Sequence, residues 1–459
     1  MSLDQQTDPS TEQDSDNHPS GMMLEPATFV HQFESLSYQH DALCVDEVSA
    51  ELLAQEFGTP LYVYSKTAIM RAYRAYTNAF AFIDHRIHYA VKANSNLAVL
   101  GVLSEAGAGF DIVSAGELAR VLAVDADPSS IVYSGVGKSK DDIKKALEAG
   151  IGCFNVESMS ELDTLDRVAD EMGVQAPISI RINPDVDANT HPYISTGLKE
   201  NKFGINHAKT IEAYQHAQSL ENLSIKGIDY HIGSQITDLD PFVDALDKLM
   251  VLIDELEAVG ITFEHVDLGG GLGVDYIDED VPSVAEFADA LMPKLQILQD
   301  KGMTILFEPG RSIVANAGVL LTKVEVLKPT EHKNFAIVDA AMNDLIRPSL
   351  YGSQMAVLPC VLPSGLVQSY SSVEAKTWDI VGQVCETGDF LAKNRVLSLA
   401  VGDILAITGA GAYGFAMSSN YNTRPRACEV MVDDHDYQEI RAREKFEDLF
   451  ASEQTWKLG

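Results

Sequence analysis

The chain has 459 residues, 46% of them hydrophobic, with 17 Pro and 32 Gly, enough for a large core spread over about two or three domains and unlike a disordered or fibrous protein. Its 68 acidic against 33 basic side chains give a formal charge of -35, which repels a phosphodiester backbone and an anionic membrane surface alike. Nucleic acid and membrane are therefore not expected partners.

From Met1 to about Glu25 the chain is Gln, Ser, Asp, Thr and Pro with hardly an apolar residue, and an acidic, disordered tail is expected because burial cannot offset its ordering entropy. The first Lys or Arg is Lys66, so the basic start of a signal peptide and the arginines of a transit peptide are both missing. No run of about 18 uncharged apolar residues occurs. The cysteines (Cys44, Cys153, Cys360, Cys385, Cys428) are odd in number and scattered, without a C-x-x-C pair, which fits a reduced cytoplasm and offers no metal site.

Residues 26–59 are read as an N-terminal segment that joins a β domain further on. Leu61 to Tyr64 reads as a strand, followed by a helix from about Lys66. Short β-rich apolar runs then recur at Ile87 to Val91, Phe110 to Val113, Ile131 to Ser134, Cys153 to Val156, Ile178 to Ile182, Gly227 to Tyr230, His265 to Leu268 and Ile305 to Phe307. Between most of them lie helical patterns, among them Leu97 to Ala106, Gly116 to Val124, Asp141 to Ala149 and Ser160 to Met172. Eight strands alternating with helices predict a (β/α)8 TIM barrel over 60–312, with an open doubly wound sheet as the alternative.

The fifth connection, Asn183 to Lys226, is long and opens with NPDVDANTHPYISTG, the character of a lid or binding loop. After Arg311 short strands (Val324 to Leu327, Phe335 to Val338, Trp378 to Val384, Ile404 to Thr408, Cys428 to Val432) predict a C-terminal all-β barrel or sandwich over 313–459, which recruits residues from Met22 to Cys44.

In a TIM barrel the positions at the C-terminal strand ends face the catalytic mouth. Here these are Lys92, Ser114, Ser134, Asn155, Arg181, His231, Gly269 to Gly273 and Glu308 to Arg311. A surface lysine is the plain reading of Lys92 taken alone, but partial desolvation at a barrel mouth can lower a lysine pKa enough for a Schiff base. The turns GGGLG and EPGR stand where barrels hold phosphate through backbone N–H groups. A phosphorylated carbonyl cofactor would satisfy both features. Glu308, otherwise a turn cap, could favour a protonated heterocyclic nitrogen by about 1 to 3 pKa units. His231, which alone would read as a core histidine, is followed by Gly233 and Ser234, where backbone can approach a flat ligand. Gly409 to Gly414 matches G-x-G-x-x-G, yet SSNYNTRPR after it is a poor helix, so a dinucleotide site is not expected.

YAVKAN, HIGSQI, GGGLG, EPGR, DAAMNDLIRPSLY, CETGD and GAYG together resemble the diaminopimelate decarboxylases, pyridoxal-phosphate enzymes of the alanine-racemase-like group, from about Phe29 to Tyr437. The resemblance implies that Lys92 carries pyridoxal 5'-phosphate as a Schiff base, that His231 stacks on the ring and that Glu308 pairs with the pyridine nitrogen. It implies a phosphate grip by Ser234, the turn Gly270, Gly271 and Gly273, the backbone of Glu308, Pro309, Gly310 and Arg311, and Tyr413. Arg311, Arg347 and Tyr351, with Tyr413 nearby, would hold the distal carboxylate of a small amino-acid substrate.

Cys385, as proton donor, and Glu386, for the distal ammonium, are expected from the other subunit of a homodimer. The implied reaction is decarboxylation of meso-2,6-diaminopimelate to L-lysine, the last step of lysine biosynthesis. Alternatives are a decarboxylase of ornithine, arginine or carboxynorspermidine, a racemase, and a non-catalytic cofactor-binding relative. Two arginines and one glutamate complement a distal carboxylate and ammonium, which ornithine and arginine do not both present.

Overall fold

The computed structural model describes residues 22, 24–187, 191, 194, 196, 197, 201–362 and 374–456. The acidic tail, apart from Met22, Leu24 and Glu25, and parts of the long fifth connection lie outside the described residues.

Eight parallel strands form the barrel: β1 His85–Ala90, β2 Gly109–Ile112, β3 Ile131–Tyr133, β4 Cys153–Val156, β5 Ala176–Asn183, β6 Leu223–Tyr230, β7 His265–Asp267 and β8 Thr304–Phe307. Each pairs with the next, and β8 returns to β1 through Ile305 opposite His85 and Phe307 opposite Ile87. Closure leaves no sheet edge inside the core, and it rules out the open doubly wound sheet.

Four of the intervening helices start where a serine supplies a cap. Ser114, Ser139, Ser158 and Ser283 each accept the backbone N–H of an acidic residue three positions on: Glu117, Asp142, Glu161 and Glu286. Each such cap contributes about 1 kcal/mol. Ser114, read from sequence as a mouth-facing residue, is therefore a structural helix cap.

The second sheet runs in the order Phe390–Leu397, Lys376–Val381, Asn334–Val338, Gly318–Pro329, Leu61–Ser65, Cys428–Asp433, Asp436–Arg441, with Ile404–Ile407 joining Gly318–Pro329 to Val357–Pro359. Leu61–Ser65 does not enter the barrel. It pairs antiparallel with Gly318–Pro329 and parallel with Cys428–Asp433, and all five of its residues are buried. A strand buried on both faces and followed by a helix has the same local pattern in either setting, so only long-range pairing assigns it. Phe390–Leu397 and Asp436–Arg441 escape the pattern reading because FLAKNRVL and DYQEIR carry charged and amide groups where alternation would require apolar ones.

Leu36–Gln39, Ala42–Val45 and Val48–Ser49 make a small sheet of their own, docked where the Leu43 N–H donates to the Cys360 carbonyl. The two large sheets meet at the barrel mouth. After β1, Asn94 Nδ2 donates to the Gly411 carbonyl at 3.1 Å, while Asn96 Nδ2 and the Tyr64 hydroxyl both donate to buried Glu429 at 2.9 and 2.8 Å. The segment carrying Lys92 is thus clamped by the second domain. Gly409–Gly414 forms part of this clamp, where a Cβ on Gly411 would lie 1.8 Å from the Val314 carbonyl oxygen. It is followed by short 3-10 turns at Phe415–Met417 and Tyr421–Thr423, not by the helix a dinucleotide fold requires. Among the described residues, no helix is long and apolar enough to cross a membrane.

Candidate active site

At the C-terminal mouth of the barrel a cavity is lined by Ala90, Lys92, Ile194, Thr196, His231, Ser234, Gly271, Leu272, Glu308, Gly310, Arg311, Arg347, Tyr351 and Tyr413. Residues separated by more than 300 positions converge there because β1, β6, β7 and β8 end side by side and the second sheet closes over them.

Lys92 follows β1 in the turn Val91–Ala93, and its Nζ meets Asp111 Oδ2 on β2 at 2.6 Å. Burial by itself would lower the lysine pKa, but the charges of Asp111 and Glu308 outweigh it and hold the ammonium above its ordinary range. The lowered pKa expected from sequence is thereby corrected: desolvation is present, but it comes with a carboxylate that no local pattern shows beside the lysine.

Asp111 is one of several acids buried inside the barrel. One oxygen each of Asp229, Asp267 and Glu308 lies within 4.8 Å of the others. Asn155 Nδ2 bridges Ser134 Oγ at 3.1 Å and both Asp267 and Glu308 at 3.5 Å, so Ser134 and Asn155 belong to this network. Arg181 balances part of the charge through Glu157 Oε1 at 3.1 Å and Asp229 at 4.0 Å. Burial, then the neighbouring acids Asp111 and Asp267, push the Glu308 carboxyl well up. Burial and Asp229 raise Asp267 to about 7, with the Gly269 N–H pulling the other way. An acid in this state holds a proton that a neutral ring nitrogen could take up, leaving a carboxylate beside a cation.

His231 follows β6 and is held neutral, its pKa lowered by burial and by the charges of Arg181 and Lys92. Its Nδ1 accepts the Gly270 N–H at 3.2 Å, which leaves the ring proton on Nε2. The Gly273 N–H donates to the Ile236 carbonyl at 2.9 Å. Of the three turn glycines expected at a phosphate, Gly270 and Gly273 thus donate their N–H groups to protein, while Gly271 lines the cavity together with Leu272. A Cβ on Gly270 would lie 2.2 Å from the Glu308 carbonyl oxygen, one on Gly271 2.7 Å from that of Gly233, and one on Gly310 3.0 Å from Ala90 Cβ. Glycine is needed for the β6, β7 and β8 turns to pack edge to edge. Pro309 does not line the cavity; its carbonyl accepts the Ala90 N–H at 3.1 Å and ties the β8 turn to β1.

Two guanidiniums close the far wall. Arg311 donates from Nη2 to Ser234 Oγ at 3.0 Å and from Nη1 to the Tyr276 hydroxyl at 2.7 Å, and lies 4.8 Å from the Tyr413 ring centre. Arg347 lies 4.4 Å over the Tyr276 ring, and its buried Nη1 has no partner among the described residues. Burial, with Arg311 nearby, lowers the Arg347 pKa. Tyr351 completes this wall.

Cys385 and Glu386 lie outside the cavity of their own chain. They occupy an exposed loop braced from beneath by buried Asp389, which accepts the Met342 and Val384 N–H groups, each at 2.7 Å. The Cys385 N–H donates to Asn422 Oδ1 at 3.0 Å and the Tyr421 hydroxyl to Glu386 Oε2 at 2.9 Å. The loop is shaped before it meets anything.

Residues 66–315 match the family described as pyridoxal-dependent decarboxylase, pyridoxal binding domain. Diaminopimelate decarboxylase of Pseudomonas aeruginosa is 56% identical over 420 residues, covering 92% of this chain and 99% of the relative. The chain belongs to the diaminopimelate decarboxylase family. Solved structures agree. The diaminopimelate decarboxylase from Helicobacter pylori complexed with L-lysine is 43% identical with a TM-score of 0.82, covering 88% of this chain and 98% of that one. The M. jannaschii enzyme in co-complex with L-lysine is 37% identical with a TM-score of 0.87, covering 92% and 98%.

The site residues fit the pyridoxal cofactor that this family's name implies. An amine and a buried carboxyl share one cavity, bare glycine backbone and a neutral flat imidazole line it, and the buried oxygens Asp111 Oδ1, Asn155 Oδ1 and Asp229 Oδ1 have no hydrogen-bond partner among the described residues. Directly behind the lining residues stand groups that the strand-end reading passed over: Asp111 against Lys92, Asp229 and Asp267 beside Glu308, and Tyr276 against Arg311 and Arg347. The three aspartates share a signal, an Asp between apolar neighbours near the end of β2, β6 and β7 (Phe110-Asp111-Ile112, Ile228-Asp229-Tyr230, Val266-Asp267-Leu268). An acid in such a run is costly unless it faces a partner inside the barrel.

Proposed function

We propose that this chain decarboxylates meso-2,6-diaminopimelate to L-lysine and CO2 in the mouth cavity, with pyridoxal 5'-phosphate as cofactor, in the cytoplasm. One observation carries the substrate: Arg311 and Arg347 are both buried and both contact Tyr276, the first at its hydroxyl and the second over its ring, with Arg347 Nη1 unpartnered among the described residues. Two desolvated cations call for an anion, and a distal carboxylate supplies it. Ornithine and arginine would leave them unpaired. The unpaired cysteines accord with reducing surroundings.

When bound, the cofactor supplies a ring that accepts the electron pair freed with CO2. Lys92 would hold it through its amine, the ammonium proton passing first to the neighbouring carboxyl network. Glu308 keeps a proton available to the ring nitrogen and, once ionised, stabilises a cation there. Neutral His231 packs its flat face without adding a competing positive charge. Ser234, Gly271, Leu272, Gly310, Arg311 and Tyr413, which line the cavity, would bound the phosphate end. The partner subunit's Cys385 donates a proton to the carbon that loses CO2, and the partner subunit's Glu386 takes the distal ammonium. Tyr276 is a positioning residue: its hydroxyl orients one arginine and its ring carries the other.

A substrate panel read for CO2 and product tests the assignment. Release of lysine from diaminopimelate is expected; faster CO2 release from ornithine or arginine would overturn it. Arg347→Ala is expected to lower kcat/KM for diaminopimelate by roughly 10- to 100-fold, the loss of a charged hydrogen bond worth about 1.5–3 kcal/mol, with little change for ornithine. Tyr276→Phe keeps the ring and loses only the hydroxyl contact, so a smaller rise in KM, roughly 2- to 10-fold, is expected with kcat nearly unchanged.

A further inference from the structure

The opposite end of the barrel holds a second cavity, lined among others by Arg86, His88, Cys153, Lys226 and His265. His88 is on β1 and His265 on β7, and each stands in register with a glycine of the adjacent strand, Gly109 and Gly227. A Cβ on Gly109 would lie 2.5 Å from His88 Cδ2, and one on Gly227 2.2 Å from His265 Nε2. Two strand positions are thus bare where the imidazoles sit.

The histidines do not serve the hydrophobic core. His88 is 3% exposed, yet among the described residues neither of its ring nitrogens has a hydrogen-bond partner, and the buried Nε2 of His265 has none. A desolvated imidazole with unmet nitrogens is unfavourable compared with an apolar side chain in the same place. Burial lowers His88 to about 3 and His265 to about 4, so each ring is neutral and has one N–H to donate. The inner wall is apolar: Val132, Cys153 and Leu306 form a small cluster apart from the main core.

Charge at the rim selects the kind of ligand. Arg86 is exposed and has no carboxylate partner among the described residues, whereas Lys226 is paired with Glu264 at 2.7 Å. One unpaired guanidinium and two neutral N–H donors make a site for negative charge. A metal is the weaker match, because among the described residues the group of three or more ligating side chains whose atoms converge is Asp229, Asp267 and Glu308, deeper in the barrel.

We propose that this lower cavity binds a small oxyanion, a phosphate or a carboxylate, through Arg86 and the imidazole N–H groups of His88 and His265. The site is separate from the mouth cavity and does not depend on the activity assigned to it.

Thermal unfolding of the cofactor-saturated enzyme in inorganic phosphate, acetate or chloride at equal ionic strength tests this, since a ligand that binds only the folded state raises Tm. Phosphate or acetate is expected to raise Tm by roughly 2–4 °C over chloride, and whichever does so identifies the oxyanion. The gain should vanish in Arg86→Ala, an exposed change that leaves turnover intact, and in His88→Phe. If His88→Phe does not fold, Arg86→Ala decides alone. No gain over chloride, an equal gain in Arg86→Ala, or a gain from Zn2+ alone would overturn the proposal.

Discussion

Lys92→Ala is expected to lose about 10³-fold or more in turnover, together with the visible absorbance of bound cofactor. Among the described residues lining the mouth cavity Lys92 is the single lysine. The variant should fold, because the backbone of this turn is held by Asn94 and Asn96 through Gly411 and Glu429, not by the lysine side chain. Asp111, fully buried, then loses its 2.6 Å cation. Added small primary amines should restore part of the rate if the missing group is only an amine. Normal turnover without lysine at this position would locate the nucleophile elsewhere and end the assignment.

The second large effect concerns the exposed loop. Cys385→Ala is expected to bind cofactor normally but to lose about 10²- to 10⁴-fold in rate, the usual worth of a positioned proton donor. Since Cys385 lies outside the cavity of its own chain, its action requires another copy of the chain. Mixing inactive Lys92→Ala with Cys385→Ala under conditions that exchange subunits should therefore recover activity, up to about one quarter of normal, because half of randomly re-formed dimers carry one site with both residues intact. The loop is already braced by Asp389 and Asn422. If the mixture stays inactive while exchange is demonstrated independently, each site draws on one chain and Cys385 has another role.

Much of this was legible from residues alone. The alternation of short apolar runs with 3.6-period segments specified eight strand–helix units, and polar or glycine residues at strand ends pointed to Lys92, His231, Glu308 and Arg311. Such features are written locally: a strand, a cap such as Ser139 with Asp142, or a glycine turn depends on a few adjacent side chains. Tertiary structure alone decided the rest. It put Leu61–Ser65 into the second sheet, used Ser114 as a cap, tied up the N–H groups of Gly270 and Gly273, and raised rather than lowered the Lys92 pKa by setting Asp111 against it. Strand pairing, hydrogen-bond supply and proton affinity are set by groups that lie close in space but far apart in the chain, and one-dimensional patterns carry no record of those distances.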